Sequence, residues 1–206
     1  MDWSNILSVI VALLVAIGLP LALRRRKKGG PLRREELCQH LQETGVKASL
    51  AEEGREEGKI GLSRASGQKS EGLIQVQGQK IDSINVISVA SQYGTHYFID
   101  YLVKALNITA KRALKKTYLV RKKSSPLWGK VVSVEWRGDK SLAQSLNFDY
   151  GLEDKLLQSD FKDLKGNIWI FPEPKHEYAR IRTAYSLSSS VTLEAINAIA
   201  KHVKLW

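Results

Sequence analysis

The sequence predicts an α+β domain, with a mainly antiparallel sheet and several helices, behind a single N-terminal transmembrane helix. Three observations predict it. The chain opens on an unbroken apolar run over residues 6–23. Short β-branched and aromatic segments, separated by glycine and proline turns, recur from residue 73 onward. Amphipathic helical patterns are interspersed among them, without the repeated glycine turn of a βαβ unit.

The apolar run reads ILSVIVALLVAIGLPLAL, with Ser8 its only polar side chain. Eighteen helical residues span about 27 Å, close to a hydrocarbon core of about 30 Å. Trp3 supplies an indole at headgroup level, and Gly18 and Pro20 are tolerated near the end of a span. A cleaved signal peptide carries its cations before the apolar stretch and a small-x-small site after it. Here Asp2 is the only charged side chain before the run, and Arg24, Arg25, Arg26, Lys27 and Lys28 follow it directly. Basic residues that close to a span stay on the cytoplasmic side. The expected arrangement is a short extracytoplasmic tail (1–5), the span (6–23), a basic juxtamembrane hinge (24–34) and a cytoplasmic remainder in the cell membrane.

Gly29-Gly30-Pro31 breaks the helix. Residues 33–43 form a short helix, with Leu37 and Leu41 one turn apart and Glu35 and Glu36 near its start. Residues 44–72 are polar, with glycines at 45, 54, 58, 61, 67 and 72, and suggest a flexible linker with a short strand over 59–63. The α+β domain proper is therefore expected over 73–206. Residues 73–77 and 81–89 make a hairpin about Gly78, and from Gly94 a helical face of Phe98, Leu102, Ala105 and Leu106 runs to about Lys116. Residues 118–120 and 131–136 are strands, and Leu152, Leu156, Leu157, Phe161 and Leu164 line a helix. Residues 168–171 form a strand that Pro172 and Pro174 end or place at an edge. Residues 178–185 alternate as a half-buried strand, and Ser188–Ser190 cap a last helix with Leu193, Ile196, Ala200 and Val203 on one face.

The charge is uneven. The net charge is +11, and residues 101–123 hold eight cations and no acid: Lys104, Lys111, Arg112, Lys115, Lys116, Arg121, Lys122 and Lys123. On a helix, Lys104, Lys111, Arg112 and Lys115 share a broad face with Lys116 at its edge. Anionic headgroups attract such residues by about 1 kcal/mol each. These eight and the juxtamembrane five are the candidate anion or lipid contacts. The expected partners are the bilayer, its anionic headgroups and an unidentified protein. Nucleic acid is a competing ligand for a basic patch, with Tyr97, Phe98, Tyr101 and Tyr118 as stacking rings, but no RNP, KH, helix-turn-helix or zinc-finger pattern accompanies them.

Catalytic signatures are missing. His40, His96, His176 and His202 are scattered without metal-ligand spacing, and Cys38 is the only cysteine, so neither a thiolate zinc site nor an internal disulfide is available. Asp149, Glu153, Asp154, Asp160 and Asp163 spread around a helix and match no calcium loop. No phosphate-binding glycine loop or nucleophile elbow occurs, so no cofactor and no metal are expected. The sequence thus points to a membrane-anchored, non-catalytic binding domain at the inner leaflet. A tethered enzyme acting on an anionic substrate, or a tethered nucleic-acid-binding domain, are the alternatives.

Overall fold

A computed structural model describes residues 33–63, 66–105, 107–108, 114–125, 130–159 and 167–206. The expected span at 6–23, the basic run Arg24–Lys28 and the end of the helix expected at Phe161 and Leu164 lie outside the described residues. Among those described, no helix is long and apolar enough to cross a membrane.

The fold is α+β. Strands β1 (Lys47–Leu50), β2 (Gln68–Gln77), β3 (Ser83–Ser91), β4 (Gly94–Lys104), β5 (Thr117–Lys123), β6 (Val131–Arg137), β7 (Trp169–Glu173) and β8 (Tyr178–Ala184) form one sheet in the order β1-β2-β3-β4-β8-β7-β5-β6. Every pairing is antiparallel. Among the described residues, helices α1 (Arg33–Glu43), α2 (Lys140–Asn147), α3 (Tyr150–Gln158) and α4 (Ser190–Lys204) accompany it.

Local chemistry sets the helix ends. At the end of α1 the Val46 N–H reaches Leu41 O and the Gly45 N–H reaches Gln42 O. That pattern needs a left-handed residue at the turn, and Gly45 supplies it at φ 84°. Asp139 caps α2 on the N–H groups of Ser141 and Leu142, Asp149 caps α3 on Leu152, and Ser189 caps α4 on Thr192.

The two faces of the sheet differ in kind. One is apolar: Ile74, Val86, Ile99, Tyr101, Ile170 and Ile181 pack with the buried faces of all four helices in a single core. The other carries Asn85, Asp100, Arg180 and Arg182, and its first half is covered by the segment after β1, where Ala51 and Ile60 pack on Leu73 and Leu102.

Several expectations need correction. Residues 94–104 are strand β4 and not the start of a helix. Phe98 and Leu102 are spaced by four, which puts them on one face of a strand as well as of a helix. Because β4 is central, Ile99, Tyr101 and Val103 are buried on one face and Asp100 and Leu102 on the other, so no alternation shows in the sequence. Residues 44–72, expected as a linker, contain β1, a 3-10 turn at Glu56–Lys59 and the first half of β2. The expected strand at 59–63 is absent among them; the polar run is structured because its backbone pairs with a neighbour. Helix α2 was not expected at all.

Pro172 behaves as its chemistry requires. Backbone groups alternate in direction along a strand, and Ile168 O faces β5, where it accepts from Leu119 N. Pro172, four residues on, faces that side too, beyond the last β5–β7 pairing at Thr117↔Ile170. Its missing N–H therefore costs no ladder bond. Both sheet margins are blocked by side chains. On β6, Val134 N donates to Glu153 and Trp136 N to Asn147, while Ala48 O of β1 accepts from Gln42.

The β4–β8 seam carries a buried charge cluster. Asp100 is 0% exposed and accepts from Arg182 Nε at 2.6 Å and Nη2 at 2.8 Å, and from Arg180 Nη1 at 2.9 Å. Arg180 Nε turns to Glu173 at 2.7 Å, so two guanidiniums face two carboxylates. Phe98 and Phe171 lie under the Arg182 guanidinium at 5.6 and 5.7 Å, and Phe171 also lies 4.8 Å from that of Arg180. Gly61, at φ 68°, passes so close over Arg180 that a β-carbon there would collide with the guanidinium. The alternation of Arg180 and Arg182 predicted a solvent face; burial of both corrects it. Removing one partner of such a cluster leaves uncompensated buried charge and costs about 3–5 kcal/mol. Asp100→Ala is therefore expected to lower urea-unfolding stability by that amount, and a loss under 1 kcal/mol would show the cluster to be solvated.

Candidate functional site

The basic residues do not form the single helical face expected of them. Lys104 closes strand β4, where its N–H donates to Asp82 at 2.7 Å. Lys115 and Lys116 precede β5, and Arg121, Lys122 and Lys123 lie within it. Lys111 and Arg112, like Arg24, Arg25, Arg26, Lys27 and Lys28, fall outside the described residues.

Strand register divides the described cations between the two ends of the sheet. Lys104 pairs with Tyr178 at one end of the β4–β8 ladder, and Phe98 pairs with Ala184 toward the other. Thr117 pairs with Ile170, which pairs with Ile181, so β5 starts near mid-ladder and runs toward the Ala184 end. Lys115 and Lys116 thus belong with Lys104. Lys122 and Lys123 reach past the opposite end, and Val131, beside Lys123, opens β6 there with Lys130 just before it.

Each cation has its own surroundings. Lys116 Nζ sits 5.9 Å from the Tyr118 ring and 5.7 Å from Phe171. Lys122 pairs with Glu135 at 3.1 Å, and Arg137 pairs with the same carboxylate. Hydrogen bonds from Arg137 first and Lys122 second hold Glu135 down to about 2. Burial pulls the Arg121 guanidinium below its ordinary value. Lys123 and Lys130 are exposed and make no ion pair among the described residues.

The Ala184 end is also where the described chain begins. Arg33 lies over two rings, 5.6 Å from Tyr97 and 5.1 Å from Tyr185, and pairs with Glu36 at 3.1 Å. Tyr185 donates its hydroxyl to Arg33 O at 2.9 Å, and its own N–H reaches Tyr97 O. Burial and the Glu36 carboxylate push the Tyr185 phenol well above its ordinary value. The β3–β4 turn lies at this end too, with Tyr93 86% exposed at its tip. The four rings weighed as stacking partners for bases are thereby separated. Tyr101 is fully buried on the helix side, and Tyr97 packs edge-on against Tyr185. Phe98 and Tyr118 remain on the other face.

Among the helices, packing makes an arrangement the sequence did not reveal. Ser145 Oγ of α2 is hydrogen-bonded to His202 Nδ1 at 2.7 Å, and His202 Nε2 donates to Asp149 at 2.8 Å. The three residues lie on three different elements, and no local motif marks them. Asp149 also caps α3, so the line ties together α2, α3 and α4. An open cleft of about 490 Å³ adjoins it, lined by Lys80, Asp149, Gly151, Lys155, Asn197 and Lys201 among others. Around the tie Phe148, Tyr150 and Leu205 are 66, 73 and 75% exposed. Of the other histidines, His40 donates to Ser188 O at 2.8 Å, an interior brace, and His96 and His176 are exposed. Cys38 is buried, which raises its thiol above the ordinary value. No group of three metal-ligating side chains occurs among the described residues.

The hydrogen bond from His202, ahead of all other causes, lowers the Asp149 carboxyl below the usual carboxylate range. A depressed folded value stabilises above the unfolded value of about 3.9 and is lost as pH falls through the folded one. Asn keeps the helix cap but not the charge. Asp149→Asn is therefore expected to lower the urea midpoint at neutral pH, with the gap to the parent closing below about pH 3.9. A gap that persists unchanged in acid would show that the charge contributes nothing.

No family model, no curated protein and no solved structure matches this chain.

Proposed function

We propose that this chain is a single-span membrane protein whose cytoplasmic α+β domain, Arg33–Trp206, is a non-catalytic binding module for an anionic partner at the inner leaflet. One observation carries the reading. An apolar run of spanning length, five consecutive cations and the first helix of the folded domain follow one another within residues 6–33. Tethering confines the domain to the leaflet, where each basic residue near the surface contributes about 1 kcal/mol. Carbonate extraction of membranes from expressing cells tests it. The full chain is expected to stay in the pellet, and protease is expected to digest the domain only when the cytoplasmic side is accessible. Release of the chain into the supernatant would overturn the anchor.

The Ser145–His202–Asp149 line favours a second reading, a tethered hydrolase for an anionic ester. It supplies a hydroxyl, a base and an orienting carboxylate within hydrogen-bond reach. A helix interior, however, gives Ser145 no neighbouring pair of free N–H groups to stabilise an oxyanion. A fluorophosphonate probe decides between them. The binding-module reading expects no labelling at Ser145; labelling that His202→Ala abolishes would establish the enzyme.

A further inference from the structure

The bilayer-facing surface of the domain can be located, on the reading that residues 6–23 span the membrane. Arg33 follows Lys28 by five residues, and an extended chain covers at most about 3.6 Å per residue, so their α-carbons lie within about 18 Å. Arg33 does not swing freely beyond that. It is held between Tyr97 and Tyr185 and by the hydroxyl of Tyr185 on its carbonyl, at the Ala184 end of the sheet.

We infer that this end of the sheet rests on the anionic leaflet, with the exposed ring of Tyr93 at the interface and Lys123 and Lys130 on the headgroups. The chemistry fits that occupant. Tyrosine is enriched at membrane interfaces, where its ring is apolar and its hydroxyl wet. Lys123 and Lys130 flank the β5–β6 turn, are exposed, and have no acidic partner among the described residues. Lys122 stands beside them but is already engaged with Glu135.

The same geometry excludes cations that sequence alone groups with these. Lys104 ends β4, ten residues along the strand from Gly94, about 33 Å away. Screening at physiological salt has a length of about 8 Å. Lys104, with Lys115 and Lys116 at its end of the sheet, therefore contributes nothing to leaflet attraction in this orientation.

The full chain, with buried Cys38 replaced by Ala, is reconstituted into lipid nanodiscs carrying phosphatidylserine and a headgroup-bound gadolinium chelate. Nitroxide labels are placed singly by Tyr93→Cys, Lys123→Cys and Lys104→Cys. Relaxation enhancement several-fold greater at 93 and 123 than at 104 is expected. Replacing phosphatidylserine by phosphatidylcholine should reduce it at 93 and 123, and Lys123→Glu with Lys130→Glu should remove that lipid dependence at 93. Equal or greater enhancement at 104 in a chain that inserts overturns the orientation alone. A chain that does not enter the discs overturns both the orientation and the anchor.

Discussion

Asp100 holds the two halves of the sheet together. β1 to β4 form a meander in chain order, whereas β8, β7, β5 and β6 follow in an order that the chain itself does not impose. The single contact between the halves within the sheet is the β4–β8 ladder, in which Asp100 is directly opposite Arg182. One-residue slippage in a strand carries every side chain to the other face. In this ladder such a slip would turn Asp100 onto the apolar face beside Ile181 and strip two guanidiniums of their partner. The cluster therefore acts as a register device more than as a source of net stability, since a buried ion pair gains little over an apolar replacement.

Legibility from sequence followed the position of each strand. Helix α1, β5, β6 and α4 declared themselves, because each has one buried face and one wet face or a recognisable cap, and the β2–β3 hairpin did so through β-branched runs on either side of Gly78. The amphipathic stripe Leu193, Ile196, Ala200 and Val203 and the serine cap survive in α4 residue for residue. The central strand β4 was illegible as a strand for the reason that it is central: both faces are covered, and a charged residue at 100 is tolerated by partners eighty residues away. The segment after β1 was misread because its polarity serves an interior role. Gly58 O accepts from buried Asn85, and Gly61 gives Arg180 room that any side chain would fill.

The candidate contacts were legible as a composition and not as a surface. Eight cations in 23 residues signal an anionic neighbour, yet strand geometry sends the described ones to opposite ends and inward. Arg121 points to the helix side, Lys122 is paired, and Lys116 lies across two rings. Nothing in the spacing of Ser145, Asp149 and His202 signals that they meet, since residues 4 and 53 positions apart become neighbours only when α2, α3 and α4 pack. Tertiary proximity of that kind is unavailable to any argument from periodicity.

The seating of Arg33 between Tyr97 and Tyr185 has a mechanical consequence. A force arriving along the preceding chain enters the fold at that residue, at the first turn of α1. Two rings and the Tyr185 hydroxyl share it with the first turn of the helix. Tyr97 belongs to β4, and Tyr185 directly follows β8 and is bonded to Tyr97 through its N–H, so tension reaches the middle of the sheet and bypasses the short marginal strand β1. Strands loaded in this way, through neighbours on both sides, resist peeling one bond at a time. Load entering at Arg33 is thereby divided between α1 and the sheet from the outset.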